Sequence, residues 1–137
     1  MPSEIPVDSP KYILLQTDAD WKNVVDKCMN ESKKMIIDFY ADWCGPCKSI
    51  APLFGKLSNQ YPETIFLKID SDNKKLSELT KALQVTGLPT FIVIEHNKET
   101  DKLTVIDKLV GGDPAKLQEM VHKHAHVKQK TESETQC

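Results

Sequence analysis

The chain predicts an α/β fold, a mixed sheet of five strands flanked by four helices. Three observations carry that prediction. Apolar runs of strand length at residues 12–15, 35–40 and 64–69 alternate with stretches whose apolar residues recur at helical spacing. That alternation makes parallel strands joined by right-handed crossovers. Residues 90–94 and 103–109 are two further runs, separated only by polar and charged residues without helical period, which makes an antiparallel hairpin. Gly111-Gly112 then breaks the last run and Asp113-Pro114 opens a closing helix, with the acid as cap and the proline at the first position. At 137 residues and 39% hydrophobic content, one domain with one ordinary core is expected.

Taken in order, residues 1–10 carry three prolines and read as a loose arm. Residues 12–15 form a short strand, after which Asp18 or Asp20 caps a helix. Trp21, Val24, Val25 and Cys28 share one face of it, at i, i+3, i+4 and i+7. The run Met35-Ile36-Ile37-Asp38-Phe39-Tyr40 has the continuity of a strand buried on both faces. In the following helix Ile50, Leu53, Phe54, Leu57 and Tyr61 face inward, with a kink expected at Pro52. Residues 64–69 form a strand, and Leu76, Leu79 and Leu83 mark a helix. Val85-Thr86-Gly87-Leu88-Pro89-Thr90 turns into the strand 90–94. No Asn-Gly pair follows, so residues 95–102 are expected as an enlarged hairpin loop. Leu117, Met120, Val121 and His124 form the inner face of the last helix. The expected organisation is an arm at 1–10, a folded domain at 11–126 and a polar tail at 127–137 that frays.

Composition excludes several function classes. Lys plus Arg number 18 against 20 Asp plus Glu, a net charge of -2, which gives neither nucleic acid nor a membrane surface an electrostatic hold. No apolar run reaches membrane-span length. The first residues lack the basic start and apolar segment of a secretory signal, so a cytoplasmic protein is expected. Four cysteines at uneven spacing do not make a secreted disulfide framework.

The chemistry centres on Trp43-Cys44-Gly45-Pro46-Cys47-Lys48, between a buried strand and a helix. There Cys44 meets the free N–H groups and positive dipole end of the helix, which favour a thiolate. Two intervening residues on such a turn bring the sulfurs within bonding reach. The pair reads as a redox couple; half a zinc site and two inert thiols are the alternatives, and no second Cys pair completes a zinc set. In the redox reading Cys44 attacks a partner disulfide and Cys47 resolves the mixed disulfide. Asp38, an acid between Ile37 and Phe39, then has a raised pKa and takes the proton of Cys47, directly or through water; the alternative is an acid that only bonds a backbone group. Lys68 either pairs with Asp38 across neighbouring strands or carries its charge out to water. Trp43 is a flat docking surface beside the nucleophile, with a core tryptophan as the alternative. On residue statistics alone, Pro89 is trans. Cys28 reads as core. Cys137 reads as a free thiol, with an intermolecular disulfide as its alternative. His122 and His126 share a helix face, but no carboxylate or cysteine nearby completes a metal set.

The chain resembles the thioredoxin family over about residues 11–124. The resemblance rests on Asp38-Phe39-Tyr40-Ala41-Asp42-Trp43-Cys44-Gly45-Pro46-Cys47-Lys48, Pro52, Lys68-Ile69-Asp70, Gly87-Leu88-Pro89-Thr90 and Val110-Gly111. It implies the thioredoxin fold with residues 35–40 at the centre of the sheet, and a cis Pro89 packed against the cysteines. It also implies a shallow groove of Trp43, Gly45, Pro46, Leu88, Pro89 and Gly111, where the backbone of Leu88 pairs with an extended substrate segment. The implied activity is protein-disulfide reduction in cell redox homeostasis through a Cys44–Cys47 disulfide, with Lys68 modulating Asp38. No cofactor is bound, and electrons come from NADPH through thioredoxin reductase. The implied partners are that reductase and oxidised proteins such as peroxiredoxins, with a monomer expected and a dimer through Cys137 under oxidation. The arm, the tail and the loop 95–102 depart from the family's length. They leave open a binding module that uses the groove without exchange. A third reading is an isomerase-like oxidant.

Overall fold

The computed structural model describes residues 10–125, so the expectations for the arm, the tail, His126 and Cys137 lie outside the described residues. Five strands are ordered β1-β3-β2-β4-β5, being β1 (Ile13–Leu14), β2 (Met35–Tyr40), β3 (Ile65–Asp70), β4 (Thr90–Asn97) and β5 (Lys102–Val110). β3 pairs in parallel with β1 and β2, while β4 runs antiparallel to both β2 and β5. The helices are α1 (Asp18–Glu31), α2 (Gly45–Gln60), α3 (Ser77–Ala82) and α4 (Pro114–Ala125). Mixed sheet, hairpin and central β2 agree with the expectations.

The alternation of side chains along a strand sorts β2 into two cores. Met35, Ile37 and Phe39 point toward α1 and α3, where they join Val24, Cys28, Ile65, Leu67, Leu76 and Ile92. Ile36 points the other way, into Phe66, Phe91 and Val93 and the inner residues of α2 and α4, among them Phe54 and Leu117. Phe54 anchors this second core, meeting Phe66 edge-on at 5.4 Å and Phe91 at 5.9 Å between ring centroids. Asp38, two residues beyond Ile36, falls on this α2–α4 face.

Four local expectations are corrected. The cap of α1 is Thr17, whose hydroxyl accepts from the Asp20 N–H while the Asp20 carboxylate accepts from the Thr17 N–H. Asp20 therefore completes a capping box and Asp18 is already helical. The helix at Leu76–Leu83 is split into a 3-10 turn, Lys74–Leu76, and the six-residue α3. Leu76 and its neighbours still pack inward, but Asn73 caps the tighter turn first. The hairpin is not an enlarged loop: its strands reach Asn97 and resume at Lys102. Polar residues continue the ladder because this end of β5 is largely solvent-facing. A register shift between Val93 and Ile94 accommodates one extra residue. The first strand is shorter than expected, only Ile13–Leu14. Pro52 lies inside α2 without ending it, although it offers no N–H to the carbonyl one turn back.

Candidate functional site

The cysteine pair sits where β2 leaves the sheet. The Cys44 N–H bonds the Ala41 carbonyl at 3.1 Å, a turn that lifts the chain out of the strand. Cys44 is the N-cap of α2 in extended conformation (φ -88, ψ 110), with Pro46 in the first turn where no partner for an N–H is needed. The Cys44 sulfur accepts from the Cys47 N–H at 3.2 Å. An acceptor at this end of a helix gains from carrying negative charge. The two sulfurs are joined in a disulfide, with Cα atoms 5.3 Å apart. Both cysteines are 4% exposed. They pack with Ala41, Tyr40 and Leu88.

Two further segments close around this turn. The Leu88–Pro89 bond is cis, which overturns the trans expectation drawn from residue statistics and agrees with the family resemblance. The Pro89 carbonyl accepts from the Gly111 N–H at 2.8 Å, tying 87–90 to the end of β5. Gly111 has φ +113, a conformation that disfavours any side chain, yet its own surroundings are open. Gly112 is the close approach: a Cβ there would lie 3.3 Å from the Pro46 carbonyl. Gly112 thus lets the end of β5 press against the active turn, whereas the sequence reading placed only its neighbour Gly111 at the site, as part of the groove. The six residues expected to form a groove come from these three segments. Trp43 is 71% exposed, so Trp43 is not a core tryptophan. Its indole N–H donates to Asp72 at 2.8 Å. Asp72 was missed, although an acid just past β3 is well placed to meet the residue just past β2, because parallel neighbours end together.

Asp38 is 1% exposed. It pairs in register with Lys68 of β3, whose ammonium nitrogen stands 4.0 Å from Asp38 Oδ2. Between the two readings of Lys68, this geometry favours the pair. Asp38 Oδ1 is buried and has no hydrogen-bond partner among the described residues. Burial pushes the Asp38 carboxyl up to about 7, against the opposing pull of Lys68. The α2 helix that covers this face carries Cys47 in its first turn, so acid and inner thiol share one side of the sheet. Among the described residues no cluster of three His, Cys, Asp or Glu is arranged to hold a metal ion. His122 Nδ1 lies 3.0 Å from the Tyr61 hydroxyl. Within 10–125 no helix is long and apolar enough to cross a membrane.

The family model described as Thioredoxin matches residues 12–123. A thioredoxin H-type of Chlamydomonas reinhardtii is 40% identical over 114 residues, covering 82% of this chain and 94% of that protein. Thioredoxin-1 of Saccharomyces cerevisiae is 36% identical over 100 residues, 73% of this chain and 89% of its own. Among solved structures, Fasciola hepatica thioredoxin superposes with a TM-score of 0.69 at 32% identity, covering 82% of this chain and 98% of that one. Oxidised thioredoxin O1 of Arabidopsis thaliana gives 0.71 at 27% identity, with coverage of 83% and 97%.

Proposed function

The chain belongs to the thioredoxin family, and on that premise we propose how its residues divide the exchange between them. It is a dithiol–disulfide oxidoreductase that reduces protein disulfides. In the proposed cycle the Cys44 thiolate attacks one sulfur of a partner disulfide. That bond breaks, one partner sulfur leaves as a thiolate and takes a proton, and a mixed disulfide forms on Cys44. The Cys47 thiol passes its proton to the Asp38 carboxylate, directly or through water, and attacks the Cys44 sulfur. The second partner thiol departs, and the chain is left with the Cys44–Cys47 disulfide. Two electrons have moved from the chain to the partner. An acid with a pKa near 7 suits this transfer, because it both accepts and returns a proton at neutral pH.

The reading rests on one observation: the disulfide spans the first turn of α2, on the sheet face that holds a buried carboxyl. Around it Trp43, Gly45, Pro46, Leu88, Pro89 and Gly111 receive an extended segment of the partner, whose backbone pairs with that of Leu88. Lys68 modulates Asp38. Thioredoxin reductase, with NADPH as electron source, regenerates the dithiol, and the chain itself binds no cofactor. Oxidised proteins such as peroxiredoxins are the substrates, met in the cytoplasm by a monomer. The folded unit is taken as 11–126.

Reductase-coupled reduction of insulin tests the activity, and absence of turnover by folded protein would remove the reading. Cys47→Ser should retain partners as mixed disulfides on Cys44, whereas Cys44→Ser should retain none. The reverse pattern would exchange the roles of the two thiols.

A further inference from the structure

Lys68 is held in an unusual way for a lysine next to a buried acid. Its nitrogen is 4.0 Å from the nearest Asp38 oxygen, longer than a good charge-assisted hydrogen bond. What flanks it are two aromatic faces. The Tyr40 ring centroid lies 4.5 Å from the nitrogen and the Tyr12 centroid 5.3 Å. The rings arrive from opposite neighbours of β3. Tyr40 stands two residues beyond Asp38 on β2, and so on the same face. Tyr12 directly precedes β1, whose Leu14 is the register partner of Lys68. Tyr12 is fixed in turn by Phe54 of α2, with ring centroids 6.0 Å apart.

A lysine stem is flexible, and its ammonium is strongly hydrated. With its side chain only 12% exposed, Lys68 has given up most of that water. The two π faces replace part of it, since an aromatic face attracts a cation and more so once desolvated. We propose that Tyr12 and Tyr40 are positioning residues: their rings clamp the Lys68 ammonium against the Asp38 carboxyl and so control that acid's affinity for its proton.

The other groups around Asp38 leave Lys68 as the charge that favours its ionised form. From β4 the register partner is Phe91, which carries no charge. From α2 come the disulfide and the exposed Lys48 and Lys56. Burial first, and then the charges of Asp70, Asp42 and Asp38, oppose ionisation of the Tyr40 hydroxyl. On the far side of the same face, His124 of α4 is held by Asp107 of β5 at 2.8 Å. Without a ring, the ammonium swings toward water and Asp38 keeps only the effect of burial. The consequence for exchange rests on the proposed role of Asp38 as proton acceptor.

The experiment follows the Asp38 carboxyl by infrared or carbon NMR in the oxidised full-length chain, where neither active cysteine titrates. Tyr12→Leu should move the midpoint upward by about half a pH unit, the worth of one partly desolvated cation–π contact. Tyr12→Phe, which keeps the ring, should leave it in place. Lys68→Met should move it further, and adding Tyr12→Leu to Lys68→Met should add nothing. A shift by Tyr12→Leu that persists undiminished in the Lys68→Met background would overturn the proposal, as would a wild-type midpoint in Tyr12→Leu. If Tyr12→Leu does not fold, Tyr40→Leu makes the same test from the other ring. The pH profile of partner release from Cys44 is then measured. A midpoint that moves while that profile stays put leaves the clamp standing and removes Asp38 from the exchange.

Discussion

Cys28 and Cys44 are almost equally shut away from solvent, at 0% and 4% exposure, yet their surroundings ask opposite things of a sulfur. Cys28 lies in the last turn of α1, at the negative end of the helix. Its thiol donates to the Lys33 carbonyl at 3.0 Å, a bond that only the protonated form makes. Burial and then the charge of Glu95 push this thiol up. Cys44 caps the start of α2, and there its sulfur is an acceptor. Burial therefore does not sort reactive from structural cysteines in this fold. The end of the helix does, together with whether the sulfur gives or receives a hydrogen bond.

The largest test of that contrast is chemical. In the reduced protein near neutral pH, Cys44 should be alkylated on the order of 100-fold faster than Cys28, because the helix start favours the Cys44 thiolate while burial pushes the Cys28 thiol up. Timed mass spectrometry of the modified chain reads the ratio. Equal rates would break the comparison, and Cys28→Ser should leave insulin reduction close to that of the parent chain.

The second test concerns the buried acid that accompanies the Cys44–Cys47 pair and not Cys28. The Asp38 pKa is about 7 in the folded chain, against about 3.9 for an unperturbed aspartate. Between those values the folded state binds more protons than the unfolded one, so this residue lowers stability as pH rises from about 4 to about 7. Asp38→Asn should remove that loss. Its gain in stability should be small at pH 4 and grow to roughly 4 kcal/mol at pH 8, while exchange slows. Denaturant unfolding at both pH values measures it, and a pH-independent difference would mean that Asp38 is not held neutral by burial.

The smallest effect sharpens the other side. Glu95→Gln removes the charge that adds to burial at Cys28. A single partly exposed charge is worth less than about 1 kcal/mol, so alkylation of Cys28 should rise by no more than about fivefold. The rate for Cys44 should not change.

The same contrast between sites separates what was legible in the residues from what was not. Met35–Tyr40 announced a strand buried on both faces because five of its six residues are apolar, and β2 is so buried. Asp113-Pro114 announced the start of α4, and the Asp113 carboxylate indeed accepts from the Ala115 and Lys116 N–H groups. Thr17 was overlooked because two acids behind it compete as caps, and only the backbone shows which residue is the last extended one. Residues 95–97 and 102 looked like loop, because strands exposed on one face carry polar residues as loops do. The partners of Gly112, Asp72 and Tyr12 were not legible in the sequence. Each acts on a residue at least 29 positions away, through contacts that exist only once the sheet is assembled.

Periodicity and short-range chemistry are local, so the chain alone determined its strands and helices, their alternation, the reactive pair at a strand-to-helix turn and the unusual acid inside a buried strand. The cis bond at Pro89, the fit of Gly112 against Pro46 and the seat of Lys68 between Tyr12, Tyr40 and Asp38 were decided by the tertiary structure. These depend on which strands become neighbours and in what register, and a mixed sheet joins residues that the sequence holds far apart.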